Sequence, residues 1–186
     1  MNAVKRAGVR VVRFVMAVYL LVFRSVPLPI RIRRVTVNWD KPVEEMIKWP
    51  GFRNDPRITP QNLPDCSGGK TGTTEESDLV LVNLGFGEWL FTDEVLERLD
   101  KMGYVPAELP ELAPLKARCD EYWGWRRRFW FIAALGPNSA IVGPDGKKRF
   151  VALHFSPRGK LARGFRVSEL HWCWRGWFLC RRKPEA

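Results

Sequence analysis

The sequence predicts an α+β fold, a mostly antiparallel sheet flanked by two main helices, and three observations carry that reading. Leu79-Val-Leu-Val-Asn-Leu84 is a short run of apolar β-formers. Thr92-Asp-Glu-Val-Leu-Glu-Arg-Leu-Asp-Lys-Met-Gly103 opens with acids, carries an apolar stripe at helical spacing and closes on glycine. Phe129-Trp-Phe-Ile-Ala-Ala-Leu135, Arg149-Phe-Val-Ala-Leu-His-Phe155 and Trp177-Phe-Leu-Cys-Arg181 are short strand-like runs separated by Gly and Pro turns. Helices inserted among antiparallel strands define the α+β class.

In chain order, Ile30-Arg-Ile-Arg-Arg-Val-Thr-Val37 alternates as a strand, with Ile30, Ile32, Val35 and Val37 inward across a register change near Arg33 and Arg34. Asp40 or Lys41 starts a short helix with Pro42 in its first turn and Val43, Met46 and Ile47 on its apolar face. Prolines and glycines from Trp49 to Ser77 predict loop throughout. Leu79–Leu84 is apolar on both faces, as a central strand is. In the following helix Thr92 is the expected N-cap and Asp93 and Glu94 suit the positive end of the helix dipole. Val95, Leu96, Leu99 and Met102 form its inward stripe, and Gly103 ends it. A second helix is expected from Leu109 to Tyr122; Pro110 is tolerated in its first turn, whereas Pro114 must distort it. Gly136-Pro-Asn-Ser turns the chain, Ala140-Ile-Val is a short strand, Gly143-Pro-Asp-Gly146 reverses direction, and Ser156-Pro-Arg-Gly-Lys is a further loop.

A chain of 186 residues suits residues 30–186 as one domain after an extension over residues 1–29. That extension sets Lys5, Arg6, Arg10 and Arg13 before Phe14-Val-Met-Ala-Val-Tyr-Leu-Leu-Val-Phe23. The apolar run is short of the roughly 20 residues of a membrane span, and no small-residue cleavage site follows it. Two readings stay open: residues 1–24 lie on a membrane surface as a basic interfacial segment, or translation begins at Met16 or later. Cytoplasmic localisation is the expectation, membrane association or export the alternative. Cys66, Cys119, Cys173 and Cys180 show no zinc or redox spacing and are expected reduced and mostly buried.

The net charge of +11 is uneven: +8 over residues 1–34, −8 over 35–121 and +11 over 122–186. A basic final third attracts phosphate or anionic lipid; pairing with the acidic middle is the alternative use of the same charge.

Several stretches resemble an uncharacterised family of candidate-phylum bacteria: Val35-Thr-Val-Asn-Trp-Asp-Lys-Pro-Val-Glu-Glu-Met-Ile47, Leu99-Asp-Lys-Met-Gly-Tyr-Val-Pro-Ala-Glu-Leu-Pro-Glu-Leu112, Phe131-Ile-Ala-Ala-Leu-Gly136, Pro144-Asp-Gly146 and Trp177-Phe-Leu-Cys-Arg-Arg-Lys183. More distantly, the helix after Tyr104-Val-Pro-Ala, the late strands and the arginine-ended last strand resemble the C-type lectin-like fold of the sulfatase-modifying and diversified proteins. That resemblance implies first and last strands lying together, two helices flanking the sheet, and a ligand face on the loops between residues 136 and 176. The calcium-binding acids of sugar-binding lectins are absent, since those loops hold only Asp145 and Glu169.

The functional expectation is a non-catalytic binding or interaction module for an unknown protein or small ligand. His171, Trp172, Trp174, Arg175 and Trp177 are its candidate contacts, because Trp and Arg dominate interface hot spots. Burial weighs against at least two of these tryptophans. The alternative is a nucleic-acid-associated protein using Arg126, Arg127, Arg128, Lys147, Lys148, Arg149, Arg158, Lys160, Arg163 and Arg166 among aromatics. His154 and His171 with Cys173 and Cys180 hold zinc-type atoms at no zinc spacing, so no metal or cofactor is expected. No nucleophile elbow, phosphate loop or acid pair beside a histidine is present, which argues against an enzyme.

Overall fold

The computed structural model describes residues 28–32, 34–48, 54–76, 78–85, 89–121, 131–155, 164–168, 171–172 and 176–184. It is mixed α and β, with one large, mostly antiparallel sheet. Across that sheet run β1 (Ile30–Arg31), β4 (Leu79–Val82), β12 (Gly176–Arg182), β7 (Phe131–Ala134), β9 (Lys148–His154) and β10 (Gly164–Ser168), each bonded to the next. β12 and β7 are parallel, and the other neighbours antiparallel. Two more strands attach beside this row: β6 (Tyr104–Pro106) on β12 and β8 (Ala140–Val142) on β9. Two small ladders stand apart, β2 (Val35–Asn38) with β3 (Thr73–Glu76) and β5 (Leu90–Phe91) with β11 (His171–Trp172).

Both faces of the sheet are covered, which is why its central strands are apolar without alternation. Along β12, Trp177 and Leu179 join one core, Phe178 and Cys180 the other. The first core takes Val35 and Val37, helix α1 (Val43–Ile47), and the pair α3 (Leu109–Leu112) and α4 (Leu115–Glu121). The second takes α2 (Thr92–Lys101) through Val95 and Leu99, with Tyr104, Phe131, Phe150 and Trp172. The single helix expected from Leu109 is broken at Ala113-Pro114, as the missing proline amide requires.

Several expectations are corrected. Thr92 is the first helical residue rather than the N-cap, because its hydroxyl accepts the indole N–H of Trp172 at 2.9 Å. Phe91 takes the cap position and its N–H donates to Glu94 at 2.8 Å, the acid's half of a capping box. Met102 stands outside the buried stripe. Gly103 ends the helix as expected, at φ +78° with its N–H on the Asp100 carbonyl.

The strand expected over Ile30–Val37 divides at its register change: β1 joins the main sheet and β2 pairs with β3. β1 is therefore not beside β12; β4 lies between them. β3 falls where loop was expected, and β10 where no element was assigned. β3 is polar, held by its ladder and by Trp39 Nε1 donating to Thr74 Oγ1 at 2.8 Å. β10 is an outer strand whose edge is covered by the 54–57 loop: Asp55 N–H donates to the Phe165 carbonyl, and Phe165 N–H to Asn54 Oδ1. The Arg57 guanidinium grips the nearly buried Asp55 carboxylate at 2.9 and 2.7 Å and holds it down at about 2. Among the described residues no helix is long and apolar enough to cross a membrane.

Candidate functional site at a fork in the sheet

β7 lies between β12 and β9, with Ile132 opposite Trp177 on one side and Leu153 on the other. Beyond Ala134 its row divides. β12 continues by pairing Cys180, Arg181 and Arg182 with Pro106, Val105 and Tyr104 of β6. β9 instead pairs Phe150, Arg149 and Lys148 with Ala140, Ile141 and Val142 of β8. β6 and β8 occupy the same row yet are not bonded to each other, so the sheet forks.

The crotch of the fork is tied by buried polar groups. Gly136 N–H donates to the Ala107 carbonyl at 2.9 Å. The Glu108 carboxylate accepts Ser139 Oγ at 2.6 Å and Asn138 Nδ2 at 3.1 Å, while the Ser139 hydroxyl accepts Leu109 N–H at 2.5 Å. A Cβ at Gly136 would sit 2.2 Å from the Glu108 carboxyl carbon, so only glycine admits that carboxylate. Glu111, fully buried, accepts Glu108 N–H at 2.8 Å and faces Arg181 Nε at 3.2 Å. Burial pushes the Glu111 carboxyl above its usual range, with the Glu108 amide and Arg181 pulling the other way. Ser139 has no exposed surface and its hydroxyl is engaged twice, so this serine and acid shape the backbone rather than meet a substrate.

A cleft of about 620 Å³ opens at the fork. Phe91 and Leu96 line it from the start of α2, Pro106 from β6, Leu135 and Pro137 from the crotch, and Phe150 from β9. Thr92, Asp93, Lys147 and Lys148 supply its polar groups. The volume is that of a ligand pocket, and an apolar lining with a few polar groups is how such pockets combine burial with orientation. The ammonium groups of Lys147 and Lys148 are exposed and have no ion-pair partner among the described residues. Phe91 and Val142 are 54% and 63% exposed beside them.

The lysines stand on a stiff hairpin. Gly146 N–H donates to the Gly143 carbonyl, Gly146 takes φ +72°, and Gly143 N–H donates to the Lys147 carbonyl, a turn closed by a left-handed glycine. Arg149 clamps Asp145 with two bonds of 2.7 and 2.8 Å and lies over Gly143, where a Cβ would meet its Nη1 at 1.6 Å. The clamp holds the Asp145 carboxyl down at about 2.

Only part of the expected binding set can be placed. Trp172 and Trp177, candidate contacts against which burial already weighed, are core residues, 1% and 6% exposed and in opposite cores. Trp172 packs its ring on Phe131 and Phe178 at 5.3 and 5.5 Å. His171 lies in β11 with its backbone opposite Phe91; Trp174 and Arg175 lie outside the described residues. Of the basic set, Lys147 and Lys148 reach the cleft, Arg149 is engaged by Asp145, and Arg166 is half-buried in β10 opposite Ala152. Arg126, Arg127, Arg128, Arg158, Lys160 and Arg163 lie outside the described residues.

Comparison of the chain with protein-family profiles, curated proteins and solved structures gave no significant match. The geometry therefore carries the functional reading alone. Cys66 and Cys180 are buried free thiols, their ionisation pushed up by burial, to about 11 for Cys66. His154 stacks on Phe131 at 5.6 Å, and burial lowers its imidazole to about 4, so at neutral pH it is uncharged. Among the described residues no three His, Cys, Asp or Glu side chains gather as metal ligands. The fork, Glu108, Glu111 and the apolar floor of the cleft were not legible as a site. Their one local signal is the spacing Glu108-x-x-Glu111 ahead of a short helix, which reads as capping.

Proposed function

We propose that this chain is a non-catalytic binding module whose ligand seats in the cleft at the fork, an apolar part on Leu96, Leu135 and Phe150 and an anionic group on Lys147 and Lys148. One observation carries the reading: a concave apolar surface bounded by two exposed, unpaired lysines. In such a site apolar contact supplies affinity and the charges supply orientation. The C-type lectin-like arrangement belongs to the same proposal. Counted from β4, the first strand lies on the last, the helices α2 to α4 fall between them in sequence, and residues 137–150 of the late region supply much of the cleft.

The test uses two dyes of one shape, 1-anilinonaphthalene-8-sulfonate and its uncharged parent N-phenyl-1-naphthylamine. Saturable binding with about a tenfold preference for the sulfonate is expected, roughly 1.4 kcal/mol. Replacing Lys147 and Lys148 together by Gln removes that preference and leaves the parent within about twofold. Equal binding of both dyes to the unaltered protein, or a preference that survives the double substitution, rejects the assignment. Tight oligonucleotide binding with a steep salt slope favours the nucleic-acid reading instead.

A further inference from the structure

The register of the fork specifies which backbone groups its branches leave open. Gly143 N–H donates to the Lys147 carbonyl, so Gly143 points its backbone at β9. Hydrogen-bonded and non-bonded pairs alternate along an antiparallel ladder. Ile141, opposite Arg149, therefore also faces β9, while the amides and carbonyls of Ala140 and Val142 turn away from it. On the other branch, Ala107 N–H donates to the Leu179 carbonyl and Lys183 N–H to the Gly103 carbonyl. Val105 then faces Arg181, and the backbone groups of Tyr104 and Pro106 turn away from β12. Proline has no N–H, so the β6 edge lacks a donor that the β8 edge retains.

Among the described residues β8 thus has an open edge, and its ladder partners Lys148, opposite Val142, and Phe150, opposite Ala140, line the apolar cleft, with Lys147 next in the chain. A free edge is a template for another strand, which gains main-chain hydrogen bonds from the edge and specificity from pockets that receive alternate side chains. The unpaired lysines complement acids. We propose, building on the reading of the cleft as a ligand site, that its occupant is an extended acidic peptide segment of a partner protein, added as a strand to the open edge of β8. Alternate apolar side chains of that segment enter the cleft, and an acidic residue meets Lys147 and Lys148. The Asp145–Arg149 clamp holds the hairpin in place before the peptide arrives, which lowers the ordering cost of binding.

A random heptapeptide library displayed on phage and selected against the full chain tests this. Enriched peptides are expected to carry an acid and apolar residues at alternate positions, and to weaken at least about tenfold on the Lys147→Glu, Lys148→Glu double variant. N-methylation of an enriched peptide weakens binding about tenfold at alternate amides and less than about twofold at those between. Val142→Pro deletes an N–H that points away from β9, so it costs the peptide about tenfold while the melting temperature stays within about 3 °C; Val142→Thr, which keeps the N–H, retains affinity. Three results overturn the inference: no enriched sequence, enrichment of basic peptides, or affinity indifferent to N-methylation at every position. If the sulfonate dye still binds through the lysines in those cases, the strand inference falls alone. If dye and peptide both fail, the cleft assignment falls with it.

Discussion

The two branches of the fork are secured by opposite physics. The β6 branch leads into two buried acids, Glu108 on the buried Ser139 and the exposed Asn138, and Glu111 facing a partly exposed Arg181. The β8 branch ends in an exposed ion pair, Asp145 with Arg149, which water and salt can replace. A buried acid that loses its partners is left with the full cost of desolvation, whereas a surface pair contributes little. The first branch therefore fixes where the cleft is, and the second sets how its lysines are held.

Two glycines offer the sharpest way to break that contrast, because each admits the side chain on which its branch depends. Gly136→Ala drives a methyl into the Glu108 carboxylate, which Ser139 and Asn138 prevent from moving. A loss of about 3 kcal/mol in chemical denaturation is expected, and a loss below about 1 kcal/mol removes the claim that this network is rigid. The next effect is a pH dependence. The folded-state Glu111 carboxyl is raised above the unfolded value of 4.5, so the folded chain binds the extra proton and stability falls as pH climbs from 4.5 through the folded value. Glu111→Gln takes out that contribution, and denaturation midpoints measured from pH 4 upward should decline less than those of the unaltered chain. The smallest effect belongs to the exposed branch. Gly143→Ala swings Arg149 off Asp145 with little change in the denaturation midpoint. Its clearer signature is the Asp145 titration followed by NMR, which moves from about 2 back toward 3.8.

Legibility in the sequence followed how each element is held. α2 was readable because Val95 and Leu99 repeat on one face and Gly103 closes it, and β4, β7 and β9 because they are apolar runs between turns. The break at Pro114 followed from a missing amide. β3 was missed because backbone pairing at the margin holds it and Thr73-Thr-Glu-Glu76 carries no apolar alternation, and β10 because its alternation is only two apolar residues long, the buried Phe165 and Val167. The site divided in the same way. Lys147 and Lys148 could be named from charge, whereas Leu135 and Phe150 looked like core, because one side chain serves the core and floors the cleft. Where a strand row splits depends on which partner each neighbour finds many residues away, and no local pattern encodes that.

The fork also bears on how copies of this chain behave in a crowded solution. Dividing a sheet creates additional strand border, and borders are where identical molecules stick together. Here the more complete border carries Lys147 and Lys148 at its tip, so two such hairpins approaching one another meet like charge before their backbones can pair. On the proposed reading, the lysines that favour an acidic visitor also set like charge against pairing between copies of the chain.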